Sequence, residues 1–185
     1  MEKLFHKNIG KITFIVCLPL ILAFATQKAH GFDENGDRLC LAQNIYFESA
    51  NQPFAGRVAV ANVAVNRSKD AQFPSTICDV VYQAKLRENW KGNMVPIRNK
   101  CQFSWYCDGK IDALYLTNAK GEVIKGNMQA WTDSLQIAED SIRGNITDIT
   151  LGATHYFNPD LADPYWAYHY TKLTEIESHD FYIHY

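Results

Sequence analysis

The chain has 185 residues, 47% of them apolar and 13% aromatic, which suits one folded domain with a substantial core and excludes a disordered or low-complexity protein. Past residue 31, 14 Lys and Arg face 19 Asp and Glu, a formal net charge of −5. Nucleic acid is not an expected partner, because affinity for phosphate backbones rests on surplus Lys and Arg.

The chain opens with Lys3, Lys7 and Lys11 around a lone Glu2, then runs almost wholly apolar and without a charge from Ile12 to Ala25. A basic start, a short apolar run and small residues at its end read as a secretory signal. Cleavage is expected after Ala25 or nearer Gly31. The alternative is an uncleaved anchor, but the run falls short of the roughly 20 apolar residues a spanning helix needs, and Pro19 interrupts it. Residues 1–31 are thus a signal peptide and lead-in, 32–38 a linker and 39–185 the functional domain. The mature protein is expected in the periplasm or outside the cell, with no stable membrane anchor.

Cys17 leaves with the signal, so Cys40, Cys78, Cys101 and Cys107 remain. An even number in an exported chain suggests two disulfides, with three possible pairings. Cys101 and Cys107 are near neighbours flanking an aromatic segment, so they are paired first, leaving Cys40 with Cys78. Zinc is the weaker reading, for lack of a nearby Cys-x-x-Cys.

From Arg38 to Ala50, apolar residues Leu39, Ala42, Ile45 and Tyr46 recur at helical steps, with Asp37 as a candidate cap and Pro53 just past the end. A second helix is expected from Phe54 or Ala55 to Ser68, its small residues allowing close packing. Thr76–Gln83 alternates like a short strand. Residues 84–100 read as an extended polar loop, and Cys101–Gly109 as a hairpin or stapled loop closing on an Asp-Gly turn. Helical spacing returns from Gly126 to Arg143, with Gly144-Asn145 as its stop. The aromatic, turn-rich tail is expected to form short strands, a wall beside the helices. The fold class is α+β, mainly helical.

No GxGxxG, P-loop, HExxH or GxSxG is present, which removes nucleotide enzymes, common zinc proteases and nucleophile-elbow esterases from the leading readings. Glu48 stands out. It lies in the last turn of the first helix, where the helix dipole disfavours a carboxylate, and aromatic Tyr46 and Phe47 add desolvation. Both favour the protonated form that a general acid needs near neutral pH; a solvated glutamate at a helix end is the plainer alternative. Asn66-Arg67 closes the second helix, either as a cap with a dipole-complementing charge or to orient the acid and the adjoining loop. Gln102, Phe103, Ser104 and Trp105 combine hydrogen-bonding groups and rings suited to a sugar, as do Tyr156 and Asn158, with core packing the alternative for the rings. His155, His169, His179 and His184 form no recognised metal pair.

The segments LCLAQNIYFESANQPFAGRVAVANVAVNR, FPSTICDVVYQ, CQFSWYCDG and GATHYFNP, in this order from Leu39 onward, resemble the SleB/CwlJ cell wall hydrolase family. The resemblance implies a compact lysozyme-like or resuscitation-factor-like domain with Glu48 as the catalytic residue. It also implies peptidoglycan glycan strands as substrate, lytic transglycosylase chemistry, and no metal or organic cofactor. Cysteines around the FSW segment resemble the form found in Gram-negative bacteria and their phages. The chain departs from the pattern between Tyr82 and Cys101, where the connection is longer and carries Lys85, Arg87, Lys91, Arg98 and Lys100. No separate wall-binding repeat is present, so targeting is left to the domain itself or to an accessory protein of unknown identity.

The expected reaction breaks the β-1,4 bond between N-acetylmuramic acid and N-acetylglucosamine. One carboxyl suffices when the substrate's own C6 hydroxyl attacks and leaves a 1,6-anhydro end. A muramidase using water is the second reading and needs another carboxylate, for which Asp79 and Asp108 are candidates. A non-catalytic peptidoglycan-binding module is the third.

Overall fold

The computed structural model describes residues 34–117, 120 and 123–185. The expected signal segment with its cleavage sites and Cys17 lies outside the described residues, as does the start of the linker.

Four helices carry the core: α1 (Glu34–Ser49), α2 (Phe54–Lys69), the short α3 (Ile77–Val81) and α4 (Met128–Arg143). The α2 helix is buried almost all round, at Gly56, from Val58 through Val65 and again at Arg67. Its Val58, Ala61 and Val65 meet Leu41 and Ile45 of α1, Ile77, Val80 and Val81 of α3, and Ile137 and Ala138 of α4. On its other side Ala59 and Val63 pack against Ala153 and Phe181. Small side chains on both faces let this helix lie between two layers, as the run of alanines and valines suggests. The α4 helix buries Ala130, Ser134, Ile137, Ala138 and Ser141, a single stripe at three- and four-residue steps. It begins at Asn127, whose side chain accepts from Ala130 N–H, and stops at Gly144 in the left-handed region (φ 74°).

Three expectations are corrected. The α1 helix starts before Arg38, so Asp37 is not its cap. Asp37 is a buried residue inside the helix, and its carboxylate accepts from Cys78 N–H at 2.9 Å. The segment expected to be a strand, Thr76–Gln83, holds α3 instead. Thr76 Oγ1 accepts from Asp79 N–H, and Thr76 O–H donates back to the Asp79 carboxylate. With Asp37, the caps satisfy two amides of the first turn, and the Cys40–Cys78 disulfide ties the same turn to α1. Those tertiary bonds outweigh the β preference of its Val and Ile residues.

Residues 84–100, expected to be a loop, lie within a hairpin of β1 (Ala84–Glu88) and β2 (Met94–Cys101). Its turn is held by Asn89, whose side chain accepts from the N–H groups of Lys91 and Asn93, and by Gly92 at φ 79°. β1 is largely exposed and polar, and β2 groups its apolar residues in one run, Met94 to Ile97, so there is no apolar alternation to announce them. Cys101–Gly109 is the stapled alternative rather than a hairpin: a 3₁₀ turn over Ser104–Cys107, closed by the Cys101–Cys107 disulfide.

A second hairpin, β3 (Tyr115–Thr117) and β4 (Val123–Gly126), precedes α4. The tail forms the expected wall: β5 (His155–Phe157), β6 (Thr171–Ile176) and β7 (His179–Ile183), antiparallel in the order β5-β7-β6. Tyr156 lies opposite Phe181 in this sheet and their rings stack at 5.7 Å. Phe181 is 1% exposed and faces α2. The two-residue period of the strand therefore turns Tyr156 toward the helices.

Candidate active site

The C-terminal end of α1 delivers Glu48, partly exposed, into an aromatic surround. Tyr46 anchors the helix end. Its hydroxyl donates to Leu114 O and accepts from Asn127 N–H, so the start of α4 and the segment before β3 both rest on it. Phe47 stacks on Trp105 with ring centroids 4.7 Å apart. Trp105, 7% exposed, is held in turn by its indole N–H, which donates to the fully buried Asn44 at 3.0 Å. The stapled loop thereby locks onto the same helix that carries Glu48.

Two elements distant in sequence converge on the carboxyl. The Tyr156 hydroxyl donates to Glu48 Oε2 at 3.1 Å. Arg67, near the end of α2 and 4% exposed, lies close enough to act on both by its charge. Its Nε donates to Thr154 O at 2.6 Å, and its guanidinium sits between the rings of Phe73 (5.3 Å) and Phe103 (5.0 Å). Glu48 Oε1 and Arg67 Nη1 are both buried without a hydrogen-bonding partner. The backbone N–H groups of Ser104 and Trp105 act on the carboxyl from the loop side, without the geometry of full hydrogen bonds to Oε1.

Burial raises the Glu48 pKa above the ordinary carboxylate value. The Tyr156 hydrogen bond, the Ser104 amide, the Arg67 charge and the Trp105 amide each oppose it, and burial prevails. Burial also lowers the Arg67 pKa to about 10, against the charges of Tyr156 and Glu48. The Tyr156 hydroxyl is raised well above its usual value by burial and by Glu48, so it is a donor throughout the working range. No carboxylate other than Glu48's own acts on this site among the described residues. The arrangement is a lone acid that holds its proton, with a donor and a cation ready to steady the anion once the proton has left.

Asn66, next to Arg67, explains how the distant strand is held. Its amide donates to Asp148, Thr150 and the carbonyl of Ala153. Asp148 also accepts from the N–H groups of Thr150 and Gly152, which folds residues 148–153 into a tight turn ahead of β5. Asn66 and Arg67 therefore do not simply cap α2. They fasten the turn and the strand start that aim Tyr156 at Glu48. The Asp148 turn was missed from sequence, where Asp-x-Thr-x-Gly gave only a weak local signal.

The remaining candidates separate. Phe103 is 2% exposed and belongs to the core, so it meets Arg67 rather than a ligand. Ser104 is exposed beside the carboxyl, and Gln102 is exposed on the opposite side of the stapled loop toward the β1–β2 hairpin. Asn158 makes a turn, accepting from Asp160 N–H, and has no bond to Glu48. Asp79 is exposed and engaged with Thr76, which removes it as a second carboxylate. Asp108 pairs with Lys110 at 3.2 Å. With Asp112 it lines a cleft of about 250 Å³ whose inner wall is Tyr46, Phe47 and Trp105. This cleft adjoins Glu48 through Phe47 but does not include it. His155 packs among Phe73, Trp166 and Tyr170, and burial with the Arg67 charge lowers its pKa to about 4.

Comparison with known proteins agrees with this architecture. Residues 51–182 match the family described as Cell Wall Hydrolase, a match that begins just past Glu48. The spore cortex-lytic enzyme of Bacillus cereus is 30% identical over 159 residues, covering 84% of this chain and 47% of that enzyme. The spore cortex-lytic enzyme of Halalkalibacterium halodurans is 28% identical over 157 residues, covering 85% and 37%. The chain thus spans under half the length of these relatives. Among solved structures, the catalytic domain of the Bacillus cereus SleB protein superposes with a TM-score of 0.55 at 28% identity, over 83% of this chain and 94% of that one. The catalytic domain of the germination-specific lytic transglycosylase SleB from Bacillus anthracis gives 0.54 at 27%, over 83% and 98%.

Proposed function

We propose that this chain, which belongs to the cell wall hydrolase family, cleaves peptidoglycan glycan strands as a lytic transglycosylase with Glu48 as its single catalytic acid and base. The observation that carries this reading is the solitary, buried carboxyl with its pKa raised. Hydrolysis by a retaining or inverting route would ask for a second carboxylate about 5 Å away or somewhat further. The groups that bear on the Glu48 pKa are a phenol, a guanidinium and two backbone amides, with no carboxylate among them.

In this mechanism Glu48 hands its proton to the glycosidic oxygen, and the bond between N-acetylmuramic acid and N-acetylglucosamine breaks through an oxocarbenium-like state. The carboxylate left behind is steadied by Tyr156 O–H and by the Arg67 charge. It then takes the proton of the muramic C6 hydroxyl as that oxygen closes on C1, giving a 1,6-anhydro end without consuming water. Two relatives support the reading, one a spore cortex-lytic enzyme and the other a germination-specific lytic transglycosylase. The family and the apolar leader also support export to the periplasm or the cell exterior, with residues 39–185 as the catalytic domain.

The test is a mass spectrum of the fragments released from purified murein, beside Glu48→Gln. Fragments one water lighter than hydrolysis products, absent with the variant, are expected. Reducing muramic ends would replace this mechanism with that of a muramidase, and no release by folded wild type would favour a binding module.

A further inference from the structure

The family reading leaves the β1–β2 hairpin without a role. Five of the 14 Lys and Arg that follow residue 31 lie between residues 84 and 101, against one carboxylate, Glu88. Elsewhere past residue 31 there are nine basic and 18 acidic side chains. The hairpin is thus a cationic projection on an otherwise acidic protein. Lys85, Arg87, Lys91, Arg98 and Lys100 are all exposed. Among the described residues, Lys85, Arg87 and Lys100 form no ion pair, while Lys91 lies over the Trp90 ring at 4.7 Å. Clustered like charges repel one another and favour an anionic ligand that separates them.

The charges line concave surface rather than a flat face. Lys85 and Lys100, with Gln83, Asn99 and Gln102, border a hollow of about 440 Å³. Arg87, Arg98 and Lys110 border another of about 250 Å³. Lys110 also lines the cleft walled by Phe47 and Trp105, where it pairs with Asp108 and shares the lining with Asp112, so the surplus of positive charge ends where that cleft begins. At Cys101 the second strand passes directly into the stapled loop whose Ser104 and Trp105 amides face the Glu48 carboxyl.

We propose that the β1–β2 hairpin binds the carboxylates of the peptide stems borne by the glycan strand, with the stem of a muramic residue near the cleavage point lying in the hollow of Lys85 and Lys100. This rests on the peptidoglycan reading above. Mixed ammonium and amide groups around a hollow suit a peptide, which offers carboxylates together with backbone donors and acceptors. A bilayer surface asks instead for a flat or amphipathic face, and here the large exposed apolar side chains are few, Trp90 and Met94 beside the turn and Leu86 among the charges of β1. The hairpin would select stem-bearing strands over denuded ones and hold them in register with Glu48.

The test uses the full chain and a Lys85→Glu/Arg87→Glu/Lys100→Glu variant with an unchanged urea midpoint. Each is co-sedimented with purified sacculi, with the same glycan freed of stems by an amidase, and with vesicles containing anionic phospholipid. Wild type is expected to bind stem-bearing murein about tenfold more tightly than denuded glycan, as a few exposed charge contacts allow. That preference is expected to vanish at 1 M salt, where the Debye length is about 3 Å. The variant is expected to bind both glycans at the denuded level and to release fragments from denuded glycan at the wild-type rate. Equal loss on both glycans, no loss on stem-bearing murein, or stronger hairpin-dependent binding to vesicles would each overturn the proposal. Wild type that binds sacculi through the hairpin yet releases nothing would overturn the glycosidase reading alone.

Discussion

Replacing Arg67 by Met asks whether the buried cation serves stability or the acid. Folding lowers its pKa to about 10, burial outweighing the charges of Tyr156 and Glu48, and at about 1.36 kcal/mol per unit the cation is disfavoured by about 3 kcal/mol. Against this stand the bond to Thr154 O, worth about 1.5–3 kcal/mol for a charged donor. The faces of Phe73 and Phe103 add about 0.5–2 kcal/mol each. These contributions match or somewhat exceed the cost, and Met keeps most of the apolar packing. Arg67→Met is therefore expected to destabilise by only about 1–2 kcal/mol, a fall of a few degrees in Tm. Its effect on Glu48 is different in kind. The Arg67 charge is one of the influences that lower the raised Glu48 pKa, so without it the acid keeps its proton to higher pH. The carboxylate formed after proton transfer also loses its counter-charge. The alkaline limb of kcat/KM on murein should move to higher pH while the maximum falls about tenfold. That is less than the ~10²–10³ lost with a donor touching the developing charge. Urea unfolding and pH-dependent murein solubilisation measure the two effects separately. Arg67→Lys, which keeps a cation, should leave the limb near its wild-type position. An unmoved limb and undiminished rate in a folded Arg67→Met protein would refute the role given to this residue.

Tyr156→Phe removes the hydroxyl that lowers the Glu48 pKa, so its alkaline limb should also move upward, and the same pH series reads it. Asn44→Leu leaves the Trp105 indole N–H unpaired in the core. It is expected to cost about 1–3 kcal/mol, with a changed Trp emission and a slower enzyme as the stapled loop loosens. Reduction should affect the two disulfides unequally. The Cys40–Cys78 bridge spans 38 residues and the Cys101–Cys107 bridge spans 6. Chain-entropy arguments give about 4 and about 2 kcal/mol. Urea midpoints of Cys40→Ala/Cys78→Ala and Cys101→Ala/Cys107→Ala proteins should differ in that order, and the reverse order would show that native-state contacts outweigh loop entropy.

The elements legible in the sequence were those whose information is local. The α1, α2 and α4 helices follow from apolar spacing, the α4 stop from Gly144, and the aromatic wall from strand-prone residues between turns. Glu48 drew attention because a carboxylate after two aromatics at a helix end is locally unfavourable, but the residues alone left it beside a solvated glutamate, and the family resemblance singled it out. What the chain did not announce is what depends on partners far along it. The α3 segment is helical because Asp37 and Cys40 reach it from α1, against its own β preference. Lys85 to Lys100 form a hairpin whose apolar residues fall in one run, Met94 to Ile97, rather than at alternate positions, so there was no period to read. Arg67 and Asn66 look like a cap in one dimension, and only the fold brings the 148–154 turn under them, and with it Tyr156 onto Glu48. A pKa is set by burial and by charges within a few ångströms, and those distances exist only once α1, α2, the stapled loop and β5 have packed together.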